Sequence, residues 1–249
     1  MRAPSLPPVR GLDPFSLTAW EGKVSAVIHL QGCNLKCRAC PVPHLVPMRP
    51  ESGVIPFEGV LHAIYERKRW LDAVVVSGGE PTLHETLPDM VRLLHDFGLR
   101  VRIHTNGTNP EMLRTLLDGG EVGSVAMTVR APLDATYAIA AGAKVALAAV
   151  YESVERILRD DGEHEFRVPW LPGVVEHAEI VAILRMLSGA RRVVLEESSP
   201  STPGSRALRR VAREAGRQVD SCVLAGRPGE DYGALAPLRG DARKGRVAT

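Results

Sequence analysis

The sequence predicts an α/β fold, a partial, six-unit, open β/α barrel around a parallel sheet. Three observations lead there. Short β-branched runs alternate with longer stretches whose apolar residues recur at helical spacing. Six such β-then-α units follow one another, which calls for a parallel sheet with right-handed crossovers and falls short of a closed eight-unit barrel. The unusual polar and glycine-rich segments directly follow the strands, where barrel-like sheets gather their chemistry.

The units run in order. Val24 to Leu30 (VSAVIHL) reads as the first strand, ending in Gln31-Gly32 and a cysteine-rich loop. Val60, Leu61, Ile64 and Tyr65 then share a helical face. Ala73 to Val76 is a short buried strand that runs into Ser77-Gly78-Gly79-Glu80-Pro81. Leu87, Met90, Val91, Leu94 and Phe97 repeat at helical spacing, with Pro88 tolerated in the first turn. Arg100 to Ile103 is the third strand, and it ends in His104-Thr105-Asn106-Gly107. Asn109-Pro110 starts a helix and Gly119 stops it. Ser124 to Val129 is the fourth strand. Leu147, Val150, Val154, Ile157 and Leu158 form an amphipathic helix. Glu165 to Val168, the helix Ile180 to Leu187 and the strand Arg192 to Leu195 complete the units. A last helix is expected near Ser205 to Ala215, and a closing strand from Gln218 to Leu224. The alanine-rich stretch Ala131 to Ala149 has no clear period in its first half.

By domain, residues 1–14 read as an N-terminal extension, 15–225 as the barrel, and 226–249 as a disordered tail rich in Gly, Pro and Arg. A net charge of +2 gives no support to a nucleic-acid or membrane-surface role. No apolar run approaches the roughly 20 residues that cross a bilayer. No apolar stretch near the start resembles a signal peptide. The expected location is the cytoplasm.

The chain has four cysteines. Cys33, Cys37 and Cys40 lie in one short loop, while Cys222 stands alone and reads as a small buried apolar side chain. A disulfide framework would need more cysteines, more widely spread. Two readings fit the trio. With His44 it is a structural Cys3His zinc site. On a four-iron cluster, normally held by four thiolates, it leaves one iron open to chelate a substrate. His29, His62, His84, His95, His164 and His177 have no ligand spacing.

The stretches FSLTAWEGKVSAVIHLQGCNLKCRACP (Phe15 to Pro41), SGGEPTL (Ser77 to Leu83), HTNG and VAMTVRAP (Val125 to Pro132) resemble the radical S-adenosylmethionine superfamily. Within it they resemble the activating enzymes of anaerobic ribonucleotide reductase, kin of the pyruvate formate-lyase activases. The resemblance covers about Phe15 to Leu195. It implies a [4Fe–4S] cluster on Cys33, Cys37 and Cys40, and S-adenosylmethionine cleaved to a 5′-deoxyadenosyl radical. It also implies a glycyl radical enzyme as partner and a flavodoxin- or ferredoxin-type electron donor. Gly78, Gly79, Glu80 and Pro81 would meet the methionine amino group. Thr105, Asn106, Thr128 and Arg130 would line the cofactor site, and Arg130 and Arg167 would each suit the carboxylate. The sequence departs from the family pattern at Ala39, where an aromatic is usual, and at Pro41-Val42. It departs again at His104, Thr128, Arg130 and Glu196-Glu197-Ser198.

Overall fold

The structure is a computed structural model that describes residues 6–49, 53–197 and 219–225. Eight strands form one sheet in sequence order: β1 (Val9–Ser16), β2 (Ser25–Leu30), β3 (Ala73–Gly78), β4 (Arg100–Thr105), β5 (Val122–Thr128), β6 (Glu163–Trp170), β7 (Val193–Glu197) and β8 (Cys222–Ala225). From β2 to β8 every pair is parallel, and β1 runs antiparallel to β2. Sequential order with two separate edges is the predicted open barrel.

Among the described residues, six α-helices supply crossovers: α1 (Phe57–Tyr65), α2 (Leu87–Asp96), α3 (Pro110–Gly119), α4 (Ala135–Ala141), α5 (Leu147–Arg159) and α6 (His177–Met186). Their ends follow local chemistry. Asn109 caps α3 by accepting from the Met112 amide, Pro110 fills the first turn, and Gly120 closes the helix at φ 82°. Glu176 and Glu179 form a reciprocal capping box at α6.

Strand alternation divides the core. Ala26, Ile28, Leu30, Val74, Val76, Val101 and Ile103 pack with α1, α2 and α3. Val125, Met127, Phe166, Val168, Val193 and Leu195 pack with α4, α5 and α6. The alternate residues face the barrel interior. There Val27, Ala73 and Val75 meet Trp20, from the loop between β1 and β2.

Three differences from expectation have physical reasons. Val9–Ser16 belongs to the sheet rather than to an extension. Gly11 and Pro14 give it little strand signature, yet an edge strand tolerates proline because one side of its ladder is free. The closing strand is real but short, Cys222–Ala225. The unplaced alanine-rich stretch contains α4, capped by Asp134 and ended by Gly142 at φ 63°. The helix expected near Ser205 to Ala215 and the tail from Gly226 lie outside the described residues.

Candidate functional site at the C-terminal rim of the sheet

The cysteine loop leaves the C-terminal end of β2 and is held from three sides. The Gly32 and Cys33 amides donate to the carbonyls of Leu45 and Val46. The Lys36 amide donates to the Ala141 carbonyl at 2.9 Å, and the Arg38 amide to Ala140 at 3.4 Å. The Glu80 amide donates to the Gly32 carbonyl at 2.7 Å. Two glycines make these approaches possible. A Cβ on Gly79 would stand 2.0 Å from the Gly32 oxygen, and one on Gly142 would stand 2.1 Å from the Lys36 oxygen.

Cys33, Cys37 and Cys40 are free thiols, each partly exposed. Burial pushes the Cys33 thiol up to about 11 and raises Cys37 as well. A metal that takes their sulfurs must therefore displace protons. Among the described residues no three His, Cys, Asp or Glu side chains converge as ligands of a single ion. A closed Cys3His zinc site with the exposed His44 is thus not preformed. Thiolates on separate irons of a cluster need no such convergence.

The Gly78-Gly79-Glu80 turn is fixed by a buried knot. Glu80, 1% exposed, accepts from the Thr82 amide at 3.1 Å, the Thr82 hydroxyl at 2.6 Å, the Thr105 hydroxyl at 2.7 Å and the Asn106 amide at 2.6 Å. Burial raises its pKa, and these four donors pull it back. The Asn106 side chain donates to Asn34 in the cysteine loop at 3.0 Å and accepts from the Thr108 amide and hydroxyl. Asn34 donates onward to the Thr108 hydroxyl. The side chains of Glu80, Thr105 and Asn106 thus join β3, β4 and the cysteine loop. Pro81 is buried beside them. What this corner offers a ligand is backbone.

The two candidate arginines differ. Arg167 donates to Glu165 at 2.8 Å and to Glu196 at 3.1 Å. It belongs to an interior ion ladder with Arg102 and Arg192, which both reach Glu165. Arg130, just past β5, has a buried Nε with no hydrogen-bond partner; Cys37, Tyr137, Glu196 and Cys33 lie within its field, and Glu196 is the carboxylate among them. Thr128, half-buried, ends β5 opposite Arg167.

Sequence reasoning missed α4 and its Tyr137, which is fully buried with its hydroxyl proton lacking an acceptor. The only local signals were Asp134 and Gly142, cap residues on either side of an alanine-rich run. Asn34 and the charges of β4 and β6 were missed too, because their partners are remote in sequence. Cys222 is buried as expected. His84 donates to the Gln31 carbonyl, and His29 lies 2.8 Å from Asp13.

The three thiols and the glycine edge thus lie at the C-terminal rim of an open parallel barrel. The sequence model of the Radical SAM superfamily matches residues 27–193, and the chain belongs to that superfamily. Its members use a [4Fe–4S] cluster and S-adenosylmethionine. The chain is 35% identical over 127 residues to a Methanocaldococcus jannaschii protein assigned by name to the glycyl-radical enzyme activating enzymes, covering 51% of each chain. It is 34% identical over 87 residues to the 7-carboxy-7-deazaguanine synthase of Aquifex aeolicus, covering 35% of this chain and 38% of that one. The chain thus spans about half the length of the first and less of the second. Among solved structures, QueE from Escherichia coli aligns with a TM-score of 0.56 at 17% identity, over 89% of this chain and 93% of that one. No helix among the described residues is long and apolar enough to cross a membrane.

Proposed function

We propose that the chain is a glycyl radical activating enzyme, with an anaerobic ribonucleotide reductase as its partner. The observation that carries the site reading is the unpartnered, buried Arg130 Nε near Cys37, at the same strand-end rim as a glycine edge whose amides are already taken. The name of the M. jannaschii relative supports the substrate class. When bound, the cluster and S-adenosylmethionine supply the one-electron cleavage and the radical chemistry.

The protein's own part follows from its residues. Cys33, Cys37 and Cys40 would hold the cluster as thiolates. The Gly79 and Glu80 amides donate to Leu30 and Gly32, so the Gly78–Gly79 edge has carbonyl oxygen to offer, the polarity an ammonium group needs. Arg130 would take the carboxylate, because Arg167 already holds two carboxylates of its own. Glu80, Pro81, Thr105 and Asn106 would keep the edge rigid, and Thr128 would line the site. Lys36, Arg38 and Arg49 surround the loop, exposed and without ion-pair partners among the described residues, on a stretch from Gln31 to Arg49 that lacks any acid. That collar suits an acidic electron donor of the flavodoxin or ferredoxin type.

The test is electron paramagnetic resonance on a mixture of reduced, loaded enzyme, S-adenosylmethionine and the candidate reductase. A glycyl radical doublet is expected in the partner. Release of 5′-deoxyadenosine without that doublet would overturn the partner and keep the chemistry. A second reading, 7-carboxy-7-deazaguanine formation, has support from the A. aeolicus relative. Mass spectrometry for 7-carboxy-7-deazaguanine among the products separates the two.

A further inference from the structure

Tyr137 is 0% exposed, yet its hydroxyl proton has no acceptor, since the nearby Arg130 backbone amide can only donate to it. A buried, unmade hydrogen bond is costly, and native structures rarely keep one without a use. Its setting shows what the use is. Tyr137, Ala140 and Ala141 are the buried face of α4, at the spacing that puts side chains one above another. That helix carries the cysteine loop, since the Ala140 and Ala141 carbonyls take the Arg38 and Lys36 amides that flank Cys37. Cys33 and Cys37 pack on the same buried cluster as the Tyr137 ring. A phenol keeps its proton at neutral pH and is therefore a donor there.

We propose that the Tyr137 hydroxyl donates a hydrogen bond to sulfur on the Cys37 side of the bound cluster and thereby raises its reduction potential. The inference rests on the cluster reading above. Reduction adds negative charge that spreads onto sulfur, and a donor aimed at sulfur favours the more negative state. Tyr137 comes from beneath the loop, on the α4 side. The Gly78–Gly79 edge lies on β3. Arg130 and Glu80 lie near the hydroxyl as well as Cys37, so a potential measured without S-adenosylmethionine separates a tuning group for the cluster from a contact for the cofactor's amino-acid part.

The test is Tyr137→Phe, which keeps the ring in the core and removes only the hydroxyl. Both proteins are reconstituted anaerobically with ferrous iron and sulfide, and both must carry equal iron and sulfide per chain. A dithionite redox titration with mediator dyes, without S-adenosylmethionine, should place the variant's midpoint lower by about 59 mV, the one-electron equivalent of a tenfold change. Electron–nuclear double resonance of the reduced cluster should show an exchangeable proton coupling in the wild type that is missing in the variant. The metal-free variant should melt at or above the wild-type temperature, because the hydroxyl proton has no protein acceptor to lose. A hydroxyl with a merely structural role would lower that melting temperature and leave the potential unmoved. Equal potentials and equal couplings overturn the proposal. A shift that appears only after S-adenosylmethionine is added overturns the sulfur assignment and gives the hydroxyl to the cofactor. Failure of the wild type to take up iron and sulfide overturns the cluster reading itself, and the metal analysis reveals that before any potential is read.

Discussion

The rim and the interior of this barrel are built from the same strands but hold opposite kinds of polar groups. In the interior, Arg102, Glu165, Arg167, Glu196 and Arg192 are joined by ion pairs between 3.3 and 2.8 Å, and each charge has a partner of opposite sign. At the rim, Arg130 Nε is buried without a hydrogen-bond partner and the Tyr137 hydroxyl proton without an acceptor, beside three free thiols. Buried charges persist where they are paired. The interior charges are therefore ion-paired as folded, although Arg102 Nε has no hydrogen-bond partner of its own, whereas Arg130 at the rim has no ion pair among the described residues. A substitution in the interior should cost stability, and one at the rim should cost cofactor.

The sharpest break is at the thiols. Cys37→Ala should abolish the iron–sulfur chromophore while circular dichroism keeps its α/β shape; a loaded cluster in this variant would refute its role as a ligand. Next in size is the ladder. Glu165→Gln leaves buried Arg102 short of its carboxylate and should cost about 3–5 kcal/mol in denaturant unfolding. Three arginines hold the Glu165 carboxyl down, against burial, to about 2 from an ordinary 4.5. A depressed acid stabilises the fold fully above its unfolded pKa and less as pH falls through the folded one. Glu165 should thus contribute on the order of 3 kcal/mol above pH 4.5, lost progressively towards pH 2. Thermal melts of wild type and variant across that window should converge at the acid end, and parallel curves would contradict the pairing.

Smaller effects sharpen the boundary between the two regions. Gly142→Ala puts a Cβ against the Lys36 carbonyl in a left-handed backbone and should cost about 1–3 kcal/mol. It should also lower iron occupancy, because it lifts the cysteine loop from α4. Occupancy equal to wild type would mean the loop does not need that seat. Arg130→Met should raise KM for S-adenosylmethionine about tenfold, roughly 1.4 kcal/mol, and leave the melting temperature nearly unchanged. Arg167→Met should do the reverse. If both arginines moved KM equally, the contrast between rim and interior would fail.

What could be read beforehand follows the same division. Local pattern revealed the strands β2 to β7 and the helices α1, α2, α5 and α6, while Asn109-Pro110 and Gly119 marked the ends of α3. The three cysteines and the glycine pair were legible because chemistry restricts them to few residue types. Glu80, Thr105 and Asn106 looked like cofactor contacts, and only the fold could reveal that they hold each other. Arg167 looked equivalent to Arg130 until Glu165 and Glu196 were seen beside it. Tyr137 was hidden in a run of alanines, where nothing in the sequence marks a face. The ion ladder joins strands far apart in the chain, and pairing of that kind leaves no local trace.

The central claim is that Cys33, Cys37 and Cys40 hold a four-iron cluster with one iron left for S-adenosylmethionine. Its most direct test is iron, zinc and acid-labile sulfide analysis of anaerobically reconstituted protein, followed on the same sample by assay of 5′-deoxyadenosine after dithionite. About four irons with matching sulfide per chain, and 5′-deoxyadenosine only when S-adenosylmethionine is present, is the predicted result. One zinc, no sulfide and no nucleoside product would contradict it.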